Sequence, residues 1–185
     1  MKKGPVSPTD KNWRGRALEA YLGCDNSSRA SRDFEDGELK STRVVCDRGQ
    51  WRIEQTLRIT TLKHTSGEHL RNFEETPFFD KISCFTCVLF DSNRDDIKSG
   101  KFVGAFLFRI NDCRDFFEDV REDYQFYLEK IAHSERVSSR ILSPKGFLGC
   151  RQTAGKTGAV SVTSLYITKT KFNELLDFYR VSRVC

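Results

Sequence analysis

Apolar residues recur with two periods along this chain, and the alternation between them lays out its elements. Over 112–132 the positions Phe116, Phe117, Val120, Tyr124, Tyr127, Leu128 and Ile131 repeat at three and four residues, which predicts an amphipathic helix with acids in its first turn. The same spacing predicts a first helix over 11–23, opened by Asp10 or Asn12, carrying Trp13, Ala17, Leu18, Tyr21 and Leu22 on one stripe and closed by Gly23. A third helix is predicted over 169–179, with Phe172, Leu175, Leu176 and Tyr179 turned inward. Alternation with a period of two predicts strands over 38–45 and 51–62, separated by a turn at Asp47-Arg48-Gly49-Gln50. The more continuously apolar runs 82–90 and 102–110 read as interior strands, and 137–142 and 160–167 as further strands. Between them, 63–75 reads as a polar irregular connection, 91–101 as a charged loop, Ser143-Pro144-Lys145-Gly146 as a break and 149–158 as a glycine-rich loop.

Strands interleaved with helices predict an α/β fold, a central mixed sheet flanked by helices. With 185 residues and 38% hydrophobic content, 15 Phe among them, the chain is expected to form one domain over 11–185 behind a loose arm at 1–10. The Met-Lys-Lys-Gly start lacks the apolar stretch of a secretory signal and no run is long enough to span a bilayer, so an intracellular, cytoplasmic protein without membrane partners is expected. Seven cysteines at scattered spacing, odd in number, are expected to be free thiols in a reducing compartment. The lone CxxC at Cys84-Phe85-Thr86-Cys87 falls inside a predicted strand with no second pair, which argues against zinc.

Charge changes the picture. The formal excess is +5, but residues 1–16 hold five Lys/Arg against one acid and 136–185 hold nine against two, whereas 112–135 hold eight acids against three bases. Basic ends and an acidic middle suggest one face for a polyanion and one for water. Gly155-Lys156-Thr157 imitates the end of a phosphate-binding P-loop, but five residues rather than four separate Gly149 from that Gly-Lys pair, and an NTPase is not expected.

The chemistry concentrates in Asp33-Phe34-Glu35-Asp36-Gly37-Glu38-Leu39-Lys40. On a strand Glu38 and Lys40 share a face while Leu39 points into the core. A turn at Asp36-Gly37 can bring Asp33 back beside Glu38. Two converging carboxylates suit a hard cation such as Mg²⁺, and a neighbouring lysine can hold or polarise a water. The same residues also suit a solvated hairpin with a charged face.

In order along the chain, these stretches resemble the MutH family of DNA endonucleases: mismatch-repair nickases and related GATC-cutting type II restriction enzymes of the PD-(D/E)xK superfamily. The resemblance rests on Lys11, Trp13, Gly15, Leu18 and Glu19, then on Asp33, Phe34, Gly37, Glu38, Leu39 and Lys40. It continues through Glu75-Thr76 and Lys81-Ile82, Arg121-Glu122-Asp123-Tyr124, Pro144-Lys145 and Leu165-Tyr166-Ile167-Thr168-Lys169. It implies a restriction-endonuclease-like fold, with Asp33 and Glu38 binding Mg²⁺ (Mn²⁺ as a substitute), Lys40 positioning water, Glu19 as a supporting acid and Lys81 facing the scissile phosphate from a strand-opening segment. Lys11, Pro144, Lys145, Tyr166, Lys169 and Lys171 are implied to contact double-stranded DNA. Ser143 stands where an arginine is familiar before the Pro-Lys pair, so the implied site is GATC or a relative. A type II restriction enzyme, acting as a homodimer, is the first expectation; a nickase with a recruiting partner and an inactive DNA-binding module are the alternatives.

Overall fold

The computed structural model describes residues 13–23, 33–34, 37–63, 72–91, 101–133, 141–153 and 162–181. The predicted arm at 1–10 and Lys11 lie outside them. Among the described residues four helices and seven strands make a mixed α/β architecture. The first strand, β1 (Glu38–Asp47), starts where Gly37 lies against Cys84: a Cβ there would stand 3.0 Å from the Cys84 carbonyl oxygen, a contact tight enough that the backbone at Cys84 would have to give by a few tenths of an ångström. It turns at Arg48 and Gly49, both at positive φ, into β2 (Gln50–Ile53), the tight reversal expected at 47–50.

The single strand expected over 51–62 is two. The chain breaks at 54–56, and β3 (Leu57–Lys63) joins a different sheet. The remaining elements are α1 (Trp13–Tyr21), α2 (Pro77–Ile82), β4 (Cys84–Asp91), β5 (Phe102–Arg109), α3 (Arg114–Ala132), β6 (Leu148–Thr153), β7 (Val162–Ile167) and α4 (Lys169–Phe178). One sheet has the order β2-β1-β4-β5, in which only β1 and β4 run parallel; the other, β3-β7-β6, is antiparallel throughout. The α/β class and a mixed sheet are as expected; the second sheet is not.

Local sequence accounts for the other departures. Residues 77–82, expected to open a strand, are helical because Thr76 accepts from the Phe79 amide at 3.1 Å and Pro77 fills the first position, where a missing N–H costs nothing. The glycine-rich loop expected from 149 is β6 as far as Thr153, paired residue by residue with β7. Ile141 and Leu142 are not strand, and the rest of 137–142 lies outside the described residues. A short 3-10 turn over Ile110–Asp112 precedes α3, so the helix begins at Arg114 behind its N-cap Cys113. In α1 the stripe is partial: Tyr21 is 87% exposed and Leu22 is exposed too, since the helix meets β1 at its opening turn, where Gly15 faces Ser41.

The core joins both sheets to α2, α3 and α4. Phe78 of α2 stacks on Tyr124 of α3 with centroids 4.5 Å apart, and Phe85 of β4 stacks on Phe108 of β5 at 4.7 Å. The aromatic stripe of α3 is thus core, as its period predicts. Cys84, Cys87, Cys113 and Cys150 are free thiols, but Cys46 is disulfide-bonded, so the expectation of free cysteines fails there. Among the described residues no helix is long and apolar enough to cross a membrane.

Candidate functional site

Parallel pairing of β1 with β4 sets the first strand's opening beside the second's, with Glu38 opposite Phe85 and Lys40 opposite Cys87. Because α2 ends immediately before β4, its last turn delivers Lys81 to the same place. Lys40 Nζ donates to Glu38 Oε1 at 2.6 Å and Lys81 Nζ donates to the same oxygen at 3.0 Å. The Glu38 side chain is 5% exposed and both lysines 14%. Its other oxygen, Oε2, is buried and has no hydrogen-bond partner. A buried carboxylate oxygen left bare is costly and demands a partner of positive charge or a donor.

Asp33 reaches the site through the expected reversal. Phe34 and Gly37 bridge each other by amide-to-carbonyl bonds of 3.0 and 3.4 Å, and the Leu39 amide donates to Asp33 Oδ2 at 2.9 Å. That anchors the Asp33 carboxylate on the residue next to Glu38 and engages one of its two oxygens. Glu19, half-buried on α1, completes the group. Burial raises its pKa, the Asp33 and Glu38 charges raise it further, and Lys40 and Arg16 oppose them. So Asp33, Glu38, Lys40, Lys81 and Glu19 are neighbours, although the sequence spreads them over 63 positions.

Of these, Glu19, Glu38, Lys40 and Lys81 line a cleft of about 820 Å³ between α1, β1 and β3. Among the described residues its lining carries Arg16, Lys40, Arg43, Arg58 and Lys81 against Glu19 and Glu38, a formal excess of three positive charges. Arg16, Arg43 and Arg58 are the charged lining side chains that sequence reasoning missed. Arg58 follows buried Leu57 and precedes buried Ile59, so strand alternation was sufficient to place it on the open face.

The donors fit a hard divalent cation in their chemistry: carboxylate oxygens, one of them buried and unpartnered, beside a cleft open to solvent. Among the described residues no set of three or more His, Cys, Asp or Glu side chains is gathered tightly enough to hold a metal ion. A cation here would rest on Glu38 and Asp33 with water and substrate oxygens supplying the rest, the usual manner of Mg²⁺.

The residues implied to contact DNA divide. Tyr166 on β7 stands opposite Arg58 of β3, so it continues the cleft's strand surface; its hydroxyl donates to the Cys150 carbonyl at 3.2 Å. Pro144 and Lys169 are exposed. Lys145 pairs with Glu122 of α3 at 3.3 Å, and Lys171 with Glu174 at 3.0 Å and Asp119 at 3.9 Å. The acidic and basic segments therefore meet along α3, and do not form the two separate faces their order suggested. Asp123, which sequence reasoning placed in an acidic helix without a role, is fully buried and holds the loop that presents Pro144 and Lys145. It accepts from the amides of Lys145 (2.8 Å), Phe147 (2.7 Å) and Leu148 (2.8 Å).

Compared with known protein families and with curated proteins, the sequence finds no match in either.

Proposed function

We propose that the chain is a Mg²⁺-dependent endonuclease of restriction-endonuclease-like fold that hydrolyses phosphodiester bonds of double-stranded DNA at GATC or a related short site. The observation that carries this is Glu38: one oxygen gripped by Lys40 and Lys81, the other buried and bare, at the floor of a cleft with excess positive charge. A merely solvated charged hairpin would leave its carboxylate in water, not buried under two ammonium groups.

Glu38 and Asp33 would hold Mg²⁺, with Mn²⁺ as a substitute; when bound, such an ion supplies Lewis acidity and lowers the pKa of a coordinated water. The chain's own part is electrostatic. Hydrolysis adds a water oxygen to phosphorus and breaks one P–O ester bond, and negative charge builds on the phosphoryl oxygens as it does so. Lys81 and Lys40 stand where that charge would develop, already held in position by Glu38 and needing little reorganisation. Lys40 would also orient the attacking water, and Glu19, with its raised pKa, would accept or hold a proton at the edge of the site. Cutting both strands needs two such sites, so a type II restriction enzyme of this size would act as a homodimer.

The test is incubation with supercoiled plasmid and Mg²⁺ or Mn²⁺, comparing the parent chain with Glu38→Ala. Relaxation or linearisation is expected for the parent, with a loss of roughly 10³-fold in the variant. Cleavage that survives the substitution removes Glu38 from the reaction and the proposal with it. Mapping the cut ends on methylated, hemimethylated and unmethylated DNA then fixes the site and the number of strands cut.

A further inference from the structure

The cleft carries a guanidinium without an acid. Arg43 pairs with Glu54 at 3.5 Å and Arg52 with Asp177 at 2.9 Å, but Arg58, exposed at the middle of the cleft's β3 wall, has no such partner among the described residues. Without it the described lining already carries Arg16, Lys40, Arg43 and Lys81 against Glu19 and Glu38. A further cation there raises the repulsion unless an anion fills the space. The strand also departs from regular register between Arg58 and Thr60, the only such irregularity where β3 meets β7 among the described residues, and this bends the strand at the arginine. Arg58 lines the same cleft as Lys40, Lys81 and Glu38; across the ladder it stands opposite Tyr166, which in turn stands opposite Gly149 with its ring passing over it.

We infer that Arg58 is a backbone-phosphate contact that holds the substrate strand in the cleft it shares with Lys40 and Lys81, on the sheet face that continues to Tyr166 of β7. This rests on the nuclease reading and extends it to a residue outside the motifs. A guanidinium offers a planar fork of donors that matches a phosphate in two bonds, which a lysine cannot reproduce. The contact reads no base, so it acts alike on every duplex sequence.

The experiment measures equilibrium binding of a fluorescent duplex containing GATC, and of a scrambled duplex, over a series of NaCl concentrations. EDTA is present so that no cleavage intervenes. Arg58→Ala is expected to weaken binding of both duplexes by a similar factor, roughly tenfold. It should also reduce the slope of log K against log [NaCl] by about 0.9, the release of one counterion fewer. Arg58→Lys should restore the slope while recovering only part of the affinity. A parent chain that binds neither duplex overturns the nucleic-acid reading altogether. A parent that binds, with Arg58→Ala keeping its slope or losing affinity for one duplex alone, overturns the Arg58 assignment and leaves that reading standing. Because Arg58 is exposed, an unchanged thermal midpoint confirms that the variant is folded.

Discussion

Asp123→Asn is the most direct test of how the 143–148 loop is held. The carboxylate is fully buried and serves three backbone donors: Oδ1 takes the Lys145 amide, while Oδ2 takes those of Phe147 and Leu148. Asparagine keeps one acceptor oxygen. If that oxygen stays with Phe147 and Leu148, the new amide NH₂ faces the Lys145 N–H, donor against donor. One charge-assisted bond is then lost outright, worth about 2 kcal/mol, and the other two lose their charge at a cost of about 0.5–1 kcal/mol each. The total is about 3–4 kcal/mol, a large share of the roughly 5–15 kcal/mol that holds a domain together. For a chain of this length each kcal/mol moves the midpoint by about 2–4 °C, so a fall of about 6–16 °C is expected. Thermal unfolding followed by circular dichroism measures it. Ser143→Ala is the companion, because it removes one neutral bond (Ser143 Oγ to the Leu148 carbonyl, 2.6 Å) from the same loop and should cost about 1 kcal/mol. A loss below that of Ser143→Ala would refute the claim that Asp123 is the principal anchor.

Gly149→Ala should displace the Tyr166 ring, because a Cβ there would stand 2.6 Å from Tyr166 Cζ; a drop in midpoint of several degrees is expected, and relief by the double variant with Tyr166→Ala would locate the clash. Glu19→Gln should raise stability at neutral pH. The folded-state pKa of Glu19 lies above its usual 4.5, so as pH rises the unfolded chain ionises first and native stability falls through the window above 4.5. The glutamine variant escapes that loss, and its advantage should vanish below pH 4.5. Denaturant titrations at both pH values decide it, and an equal effect at each would exclude an ionisation origin.

Much of the site was legible because its core is local. Asp33, the reversal before Gly37, and the alternation of Glu38, Leu39 and Lys40 lie within eight residues, where strand geometry alone dictates who shares a face. The stripe of α3 was legible for the same reason. What escaped reading was mostly non-local or rested on a cue passed over. Thr76-Pro77 is a helix-start signature in plain view, hidden by the apolar run that follows it. The break at 54–56 is invisible to alternation, since Leu57 and Ile59 continue the pattern of Ile53 while joining another sheet. Asp123 occupies a stripe position between Val120 and Tyr127, and an acid on an apolar stripe is itself the sign of a buried partner set. Its donors, however, lie more than 20 residues away.

Lys81 shows why topology, and not motif spacing, assembles the constellation. It is 43 residues from Glu38, and no period relates the two. Had β4 run antiparallel to β1, the end of α2 would open onto the far end of β1, near Asp47, and Lys81 would face solvent. Parallel pairing puts both strand beginnings together, and the six-residue helix that ends at Ile82 then leaves the lysine no other neighbour of opposite charge at hydrogen-bond distance than Glu38 among the described residues. The result is an excess: two ammonium groups on one oxygen of one carboxylate. Neutralising Glu38 once would have needed a single lysine. The second ammonium faces a site that also holds Asp33 and Glu19, and two cations fixed on one buried oxygen beside a cleft with a basic described lining are what a phosphate, arriving with its own negative charge, would meet.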